Sequence, residues 1–204
     1  MFPNAINEPT RRVFESLAKV LTEDFYLAGG TALAIHLGHR LSVDLDWFSA
    51  KNFSHQTLKE TLSQVGHFEL RAEDEGTIHG LLDGVRVSFL RYPYPLEFPA
   101  IDFMDARLAD ERDIAAMKLD AVSSRGSRKD FIDLHFLLKK YPLAELWTIF
   151  EKKYAGIQFN KLHILKSLTY FEEAETEPMP VMLVPVAWEE VKKTISRAAY
   201  AALV

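Results

Sequence analysis

Hydrophobic residues recur with two different periods along this chain, and the dominant period changes near residue 100. Short apolar runs alternate with a few helical patterns in the first part, which favours a mixed α/β architecture. Strands are predicted at residues 25–28, 45–49, 68–72, 77–82 and 85–92, and helices at 7–21, 31–37 and 55–65. The second part has apolar positions at helical spacing, which predicts helices at 110–123, 129–140, 143–154, 161–171 and 188–201.

Residues that favour turns and caps separate these elements. Asp83-Gly84 joins two strand patterns and predicts a two-residue hairpin turn. Ser54 is expected to cap the helix that follows it. Residues 93–99 contain three prolines and cannot form a central strand. The acidic residues 172–177 are predicted to form a surface loop.

The composition indicates a folded chain of one domain or two small lobes. Of its 204 residues, 48% are hydrophobic, which is enough for a core. The chain has no cysteine, which excludes disulfides, thiol catalysis and cysteine-ligated zinc. No apolar run reaches the roughly 20 residues that cross a bilayer, and the first residues lack a secretory signal. We therefore expect a cytoplasmic protein that has no membrane partner.

The charge of the chain is slightly acidic overall but unevenly distributed. A net charge of −5 argues against a protein that coats nucleic acid non-specifically. Residues 139–169 nevertheless contain six lysines, opposed only by Glu145 and Glu151. This segment is either a solvated helical surface or a docking surface for a polyanion such as RNA.

A glycine pair precedes two closely spaced aspartates in the first part of the chain. Gly29 and Gly30 follow an apolar strand pattern and precede a helical one. Asp44 and Asp46 are two residues apart on a predicted strand that continues through residues 45–49, so their carboxylates would face the same side. Such oxygen ligands suit Mg²⁺, and the backbone N–H groups of a glycine turn at a helix N-terminus suit a phosphate.

An Asp-x-Asp sequence is, alternatively, often ordinary solvated surface. Here the pair is flanked by four apolar residues, which predicts that the opposite face of the strand is buried. These residues are Val43, Leu45, Trp47 and Phe48. Together with the glycine pair, this environment favours a functional site.

Two segments of the chain resemble a known family. The glycine pair followed by Asp-x-Asp is similar to the minimal nucleotidyltransferase core of the DNA polymerase β-like superfamily. More narrowly, residues 27–48, LAGGTALAIHLGHRLSVDLDWF, resemble the AbiEii/AbiGii toxin family of nucleotidyltransferases. Residues 112–138, RDIAAMKLDAVSSRGSRKDFIDLHFLL, resemble that family's helical signature, in which a lysine helix precedes an Arg/Lys-Asp-x-x-Asp helix.

The resemblance implies an α+β fold in two parts with a nucleotide in the cleft between them. Residues 1–100 would form a polymerase-β-like nucleotidyltransferase lobe with a small mixed sheet, and residues 101–204 a mainly helical lobe. Asp44 and Asp46 would be catalytic and hold Mg²⁺, with Mn²⁺ as a possible substitute. The expected nucleotide-binding residues are Gly29, Gly30, Thr31, Arg40, Ser42 and Lys118.

Lys118 has an apolar helical environment, so it must pair with an acid, extend to solvent or contact a ligand. Its partner is either a phosphate of the nucleotide or one of the acids Asp130 and Asp133. The resemblance implies that Lys118 and Asp133 are catalytic, with Asp133 orienting the lysine or accepting a proton from the attacking hydroxyl. Asp130 could equally cap the turn after Gly126.

Several residues around the glycines and aspartates have two open interpretations. Thr31 could bind a phosphate oxygen, cap the following helix, or do both. Arg40 and Ser42 match the family's G-H-R-x-S-x-D-x-D string, and the arginine could hold phosphates bidentately or brace an aspartate. His39 could pack in the turn or contact a ligand.

One position departs from the pattern of related enzymes. Many nucleotidyltransferases have a third carboxylate on a later strand, whereas the corresponding position here carries Ser88. Asp133 would then serve as the base, with Asp83 or Asp102 as weaker substitutes, unless catalysis is lost. The other histidines lack metal-binding spacing and are interpreted as structural or surface residues: His36, His55, His67, His79, His135 and His163.

The function expected from the sequence is transfer of a nucleoside monophosphate from a nucleoside triphosphate to an acceptor. The resemblance implies a toxin of a toxin–antitoxin pair, with RNA, and tRNA in particular, as the candidate acceptor and an antitoxin as a possible partner. Two alternatives are modification of a small molecule or protein, and nucleotide binding without catalysis.

Overall fold

A mixed sheet forms the centre of this computed structural model, which describes residues 1–202. Its strands are β1 (Phe25–Ala28), β2 (Leu45–Ser49), β3 (Phe68–Asp74), β4 (Thr77–Leu82), β5 (Val85–Arg91), β6 (Ile101–Phe103) and β7 (Ala106–Leu108). The helices are α1 (Glu8–Ala18), α2 (Gly29–Leu37), α3 (His55–Val65), α4 (Glu111–Ser124), α5 (Arg128–Leu138), α6 (Leu143–Lys153), α7 (Lys161–Ser167), α8 (Glu172–Thr176) and α9 (Trp188–Ala201). The predicted α+β class is confirmed.

The sheet has the order β3-β4-β5-β2-β1-β7-β6, with β1 and β2 as an antiparallel pair near its middle. β5 runs parallel to β2, and β7 runs parallel to β1. β6 and β7 extend the sheet beyond the predicted boundary at residue 100, and the division into two lobes stays a prediction. The sequence patterns missed both strands because each has three residues, too few for a recognisable alternation.

Successive side chains of β2 alternate between the two faces of the sheet. Trp47 stacks on Phe14 of α1 with ring centroids 5.7 Å apart. Phe48, on the other face, contacts Tyr92 edge-on at 5.4 Å, and the hydroxyl of Tyr92 contacts that of Tyr154 at the end of α6. Asp46 shares the face of Phe48 and is therefore directed toward the helices of the second half.

Turn and cap chemistry agree with the sequence. Asp83 and Gly84 have φ angles of 49° and 81°, as a two-residue hairpin turn between β4 and β5 requires. The Ser54 hydroxyl accepts the backbone N–H of Thr57 at 3.3 Å and caps α3. Both predictions are confirmed.

The prediction of a loop at residues 172–177 is wrong, because α8 occupies this segment. Ala174 is fully buried, and its carbonyl oxygen accepts a hydrogen bond from Nε of Arg128 at 2.7 Å. The tertiary contacts of Ala174 thus stabilise α8, which the acidic composition of the segment did not predict.

The lysine-rich segment 139–169 is extensively ion-paired. The pairs are Lys139–Glu190, Lys140–Glu111, Lys152–Glu97 and Lys153–Asp113. Because these lysines already have acidic partners, the segment offers less positive charge to a polyanion than its composition indicates, and the solvated-surface interpretation is favoured.

Lys153 and Asp113 form a fully buried pair that fixes the proline-rich connection to the helices. Lys153 donates to Asp113 at 2.8 Å and to the carbonyl oxygen of Pro95 at 2.7 Å. The Asp113 carboxylate also accepts the backbone N–H groups of Glu97 and Phe98, each at 3.0 Å. These hydrogen bonds hold the proline-rich connection, residues 93–99, in a defined conformation although it cannot pair as a central strand.

Within residues 1–202, none of the helices has the length and apolar composition needed to cross a membrane.

We expect Asp113→Ala to reduce the free energy of unfolding by about 3–5 kcal/mol, because it leaves the Lys153 ammonium buried without its partner. Urea titration measures the loss. Asp24→Ala is the matched control: it breaks an ion pair of the same 2.8 Å length with Lys51 at the surface, where the expected change is below about 1 kcal/mol. Equal small losses in the two variants would contradict this assignment.

Candidate active site

A cavity of about 600 Å³ lies where the helical face of the sheet meets α4 and α5. Many of the residues selected from the sequence line it: Gly30, Thr31, Arg40, Ser42, Asp44, Asp46 and Lys118. Gly29 and Asp133 lie behind this lining, in contact with its side chains. The fold thus brings residues from four separate segments to one cavity.

The register of β1 and β2 brings the glycine turn to the aspartates. Ala28, the last residue of β1, pairs with Asp46. A β-carbon on Gly29 would lie 3.2 Å from Oδ2 of Asp46, and the φ angle of Gly29 is 67°, in the left-handed region. Glycine is therefore favoured here both by backbone conformation and by the close approach of a carboxylate.

The surroundings of the two aspartates agree in part with the sequence. Leu45 and Trp47 are buried, at 0% and 1% exposure, as predicted. Val43 is 46% exposed, contrary to prediction, because the strand begins only at Leu45. Asp44 accordingly precedes the strand by one residue, while Asp46 lies within it.

Burial and the neighbouring Asp44 destabilise the charged form of Asp46. Burial raises the pKa of Asp46, and the negative charge of Asp44 raises it further. The neighbouring Ser88 hydroxyl and the cations Lys118 and Arg125 act in the opposite direction, but the pKa of Asp46 remains above its usual value. A cation bound between the aspartates would relieve this repulsion.

The donor set fits a metal that is shared with a substrate. Among the described residues, there is no group of three or more His, Cys, Asp or Glu side chains that could hold a metal by itself. Mg²⁺ usually binds to one or two carboxylates and completes its shell with water and phosphate oxygens. Asp44 and Asp46 therefore suit Mg²⁺ or Mn²⁺ held jointly with a phosphate.

Asp133 is a fully buried carboxylate at the centre of a polar network. It accepts hydrogen bonds from Nε2 of His39 at 2.7 Å and from Nε and Nη2 of Arg40 at 2.7 and 2.9 Å. Nζ of Lys118 lies 2.6 Å from Oδ2 of Asp133, the oxygen that also accepts the hydrogen bond from Nη2 of Arg40. Burial opposes its charge, but Arg40 and Lys118 hold the pKa of Asp133 well below its usual range. These contacts favour the orienting role over proton acceptance.

Lys118 is shared between two acids of α5. Its ammonium donates to Asp130 at 2.8 Å and contacts Asp133 at 2.6 Å. Burial disfavours the ammonium, but the two carboxylates outweigh this and raise the pKa of Lys118 above its usual value. The lysine is 5% exposed and lines the cavity, so the acidic partners and a phosphate are compatible interpretations rather than exclusive ones.

Arg40 braces an aspartate, one of the two roles that the sequence left open. It is 2% exposed, and Nη1 donates to the carbonyl oxygen of Leu41 in addition to the two bonds with Asp133. A β-carbon on Gly30 would lie only 2.5 Å from Nη2 of Arg40. Glycine at position 30 thus leaves room for the guanidinium beside the cavity.

Thr31 does not cap α2, because the helix begins two residues earlier, at Gly29. Its hydroxyl contacts the carbonyl oxygen of Asp44 and lies 2.7 Å from the hydroxyl of Ser42. Thr31 is 1% exposed. The side chain therefore fixes the segment that enters β2 and so positions Asp44.

The cavity contains five charged or titratable residues that the sequence did not identify as site residues: His79, Arg86, Arg125, Lys129 and Glu177. Arg125 donates to Asp130 at 2.9 Å although its side chain is 68% exposed. The family-like segment contains Arg125 and Lys129, but its motif did not distinguish them from other surface cations. His79 and Arg86 come from the hairpin and belong to no motif.

Ser88 occupies the strand position next to Asp46. The two residues are partners in the parallel β2–β5 register, and Ser88 is also the partner of His79 in the antiparallel β4–β5 register. Nδ1 of His79 lies 3.0 Å from the Ser88 hydroxyl. A serine, and not a third carboxylate, thus stands beside the metal-binding candidates.

Gly30→Ala should displace the Arg40 guanidinium and reduce the free energy of unfolding by about 1–3 kcal/mol, since no space exists for a β-carbon. Gly156→Ala is the control, because its β-carbon would have no neighbour within 4 Å. Thermal and urea unfolding compare the two. Equal stability of both variants would show that the guanidinium adapts without cost.

Asp133→Asn should reduce the free energy of unfolding at pH 7 by about 3–5 kcal/mol, because Arg40 stays buried without its carboxylate partner and Lys118 keeps only Asp130. The folded-state pKa of Asp133 lies below its unfolded value, so its contribution is present above pH about 4 and is lost as the pH falls further. Urea titrations at several pH values should show the difference between wild type and variant shrinking in acid. A pH-independent difference would contradict the ionised network.

Comparisons with known proteins identify the family of this chain. The sequence model described as nucleotidyl transferase AbiEii toxin, type IV TA system, matches residues 12–105 and 91–201. A protein of Aquifex aeolicus (strain VF5), described as uncharacterized, is 40% identical over 193 residues, which cover 90% of this chain and 92% of that protein.

Solved structures share the fold at low identity. MenT4, a nucleotidyltransferase toxin from Mycobacterium tuberculosis H37Rv, has a TM-score of 0.60 at 15% identity, covering 95% of this chain and 84% of MenT4. JHP933 from Helicobacter pylori has a TM-score of 0.57 at 17% identity, and the match covers 96% of this chain and 92% of JHP933. The family match extends over most of the sequence and includes both segments whose resemblance was noted. This chain therefore belongs to the AbiEii family of nucleotidyl transferase toxins.

Proposed function

We propose that this protein is a Mg²⁺-dependent nucleotidyltransferase toxin that transfers a nucleoside monophosphate from a nucleoside triphosphate to a hydroxyl of RNA, with tRNA as the candidate acceptor. The observation that carries the proposal is the convergence of Asp44, Asp46 and Lys118 on one cavity. Acidic oxygens and a buried cation side by side suit a triphosphate and its metal.

Asp44 and Asp46 would hold Mg²⁺ or Mn²⁺, which when bound would offset the charge of the triphosphate and of the leaving pyrophosphate. Asp46 is prepared for such an ion, because its raised pKa reflects burial and the charge of Asp44, which a bound cation would offset. Thr31 keeps Asp44 in position through the contact of its hydroxyl with the Asp44 carbonyl oxygen, and Ser88 lies beside Asp46 in the strand register.

Lys118 is suited to bind a phosphate while remaining paired with acids. An ammonium has three N–H donors. Two are directed to Asp130 and Asp133, which leaves the third for an oxygen in the cavity. Asp133, fully buried and bonded to three side chains, is a positioning residue that fixes the lysine rather than the proton acceptor.

The first turn of α2 supplies a second phosphate contact. Its N-terminus begins at Gly29, and the preceding Ala28 has no side-chain acceptor with which to cap the free backbone N–H groups. Such a terminus attracts anions through its N–H groups and the helix dipole. Gly30, also on this turn, lines the cavity.

An RNA acceptor is supported by the charge at the edge of the cavity. Arg86, Arg125 and Lys129 are exposed there, and a polyanion would approach such cations. Nucleoside triphosphates and tRNA occur together in the cytoplasm, where we expect the protein to act. The family's type IV toxin–antitoxin description supports a cognate antitoxin as a further partner.

Ser88 gives a specific reason to test nucleotide binding without transfer as a second candidate function, since a serine cannot replace a carboxylate base. Incubation with each α-labelled nucleoside triphosphate, total tRNA and Mg²⁺ separates the possibilities. Labelled RNA that disappears with EDTA supports the proposal. A labelled small molecule or protein identifies another acceptor, and nucleotide binding without labelled product identifies a binding protein.

Asp44→Asn and Asp46→Asn should each reduce transfer by about 1,000-fold or more, because a metal ligand and its charge are lost. The fold should persist, which thermal unfolding checks. Asp102→Asn serves as the control, since Asp102 is an exposed carboxylate on β6 outside the cavity. Wild-type turnover in the double variant Asp44→Asn/Asp46→Asn would refute the metal site.

A further inference from the structure

Three polar residues lie side by side across three neighbouring strands at the cavity. Asp46 on β2 pairs with Ser88 on β5, and Ser88 pairs with His79 on β4. Directly opposed residues of neighbouring strands have their side chains on the same face of the sheet. All three line the cavity that contains Lys118. The acid, the hydroxyl and the imidazole therefore form a continuous row.

The hydrogen bond between His79 and Ser88 determines which ring nitrogen of His79 is left for the cavity. Nδ1 of His79 lies 3.0 Å from the Ser88 hydroxyl. A neutral imidazole has one nitrogen that donates and one that accepts, so a ring whose Nδ1–H donates to the Ser88 oxygen has its lone pair on Nε2.

The acids near the cavity are committed elsewhere. Asp133 and Asp130 are bonded to cations, and their exposures are 0% and 1%. Glu177 accepts the backbone N–H of Arg128 at 2.8 Å at the start of α5. Asp44 and Asp46 are assigned to the metal. Among the described residues that line the cavity, His79 is the remaining imidazole or carboxylate side chain, and hence the remaining candidate for a general base.

We infer that His79 is the general base of the transfer reaction and that Ser88 orients it, in place of the strand carboxylate of related enzymes. This inference depends on the proposed nucleotidyltransferase activity. It also accounts for the serine at position 88, which becomes a link between Asp46 and the base. The histidine was interpreted from the sequence as a structural or surface residue, because its role depends on strand register.

The transfer step can be written with this base. The acceptor hydroxyl oxygen forms a bond to the α-phosphorus of the nucleoside triphosphate, and the bond between that phosphorus and the bridging oxygen breaks. Pyrophosphate leaves with the electron pair of the broken bond. The hydroxyl proton passes to Nε2 of His79 and is released to water after the product dissociates.

The test is the transfer rate of His79→Ala, measured with α-labelled nucleoside triphosphate and the acceptor that the wild type labels. General bases contribute about 100- to 10,000-fold, so kcat should fall by at least about 100-fold. KM for the nucleotide should change little, because the residue acts on the acceptor hydroxyl and not on the triphosphate. Added imidazole should restore part of kcat, since the small base can occupy the vacated space.

His67→Ala is the matched control, because the His67 side chain is 78% exposed and lies outside the cavity. It should retain the wild-type rate and show no response to imidazole. Thermal unfolding checks that both variants fold.

The outcomes separate this inference from the proposed function. A wild-type protein that transfers to no acceptor overturns both. A wild type that transfers while His79→Ala keeps the full rate overturns only the base assignment. A loss of kcat in His79→Ala that imidazole does not restore also overturns it, because the ring would then serve packing or positioning.

Discussion

A single buried carboxylate, Asp133, fixes the arrangement on which the candidate site depends. It accepts hydrogen bonds from His39 and Arg40, which precede β2, and contacts Lys118 from α4. Its own helix, α5, thereby joins the two elements that carry the remaining site residues. An ionised acid without water is stable only among such partners. The segment that precedes β2 and the helix α4, which carries Lys118, are consequently held at a defined separation.

The register of the sheet provides the second constraint. Pairing of Ala28 with Asp46 brings the end of β1, and hence the first turn of α2, beside the carboxylates. Pairing of Asp46 with Ser88, and of Ser88 with His79, extends the polar row across the hairpin. A shift of one residue in any of these strands would turn the side chains to the opposite face. The metal, phosphate and base functions proposed here therefore share one structural origin.

The sequence predicted those parts of the fold and site that depend on local signals. The hairpin at Asp83-Gly84, the cap at Ser54 and the carboxylate pair follow from a few adjacent residues. The three-residue strands and α8 were missed, because tertiary contacts and not local periodicity stabilise them. Lys118 was found from its apolar helical surroundings and from the family resemblance.

The roles of other site residues could not be derived from their positions in the chain. Arg40 and Asp133 are 93 residues apart, and the bidentate pair between them exists only in the folded protein. The space that Gly30 leaves for Arg40 also depends on this pair. His79 has no motif around it, and its importance follows from a register that no local pattern specifies.

The most direct test of the account is a crystal structure of the wild-type protein with Mg²⁺ and a non-hydrolysable nucleoside triphosphate analogue. We expect the triphosphate in the cavity, with the metal between it and the carboxylates of Asp44 and Asp46, and Nζ of Lys118 on a phosphate oxygen. A triphosphate bound away from these three side chains would contradict the central claim that they form one nucleotide site.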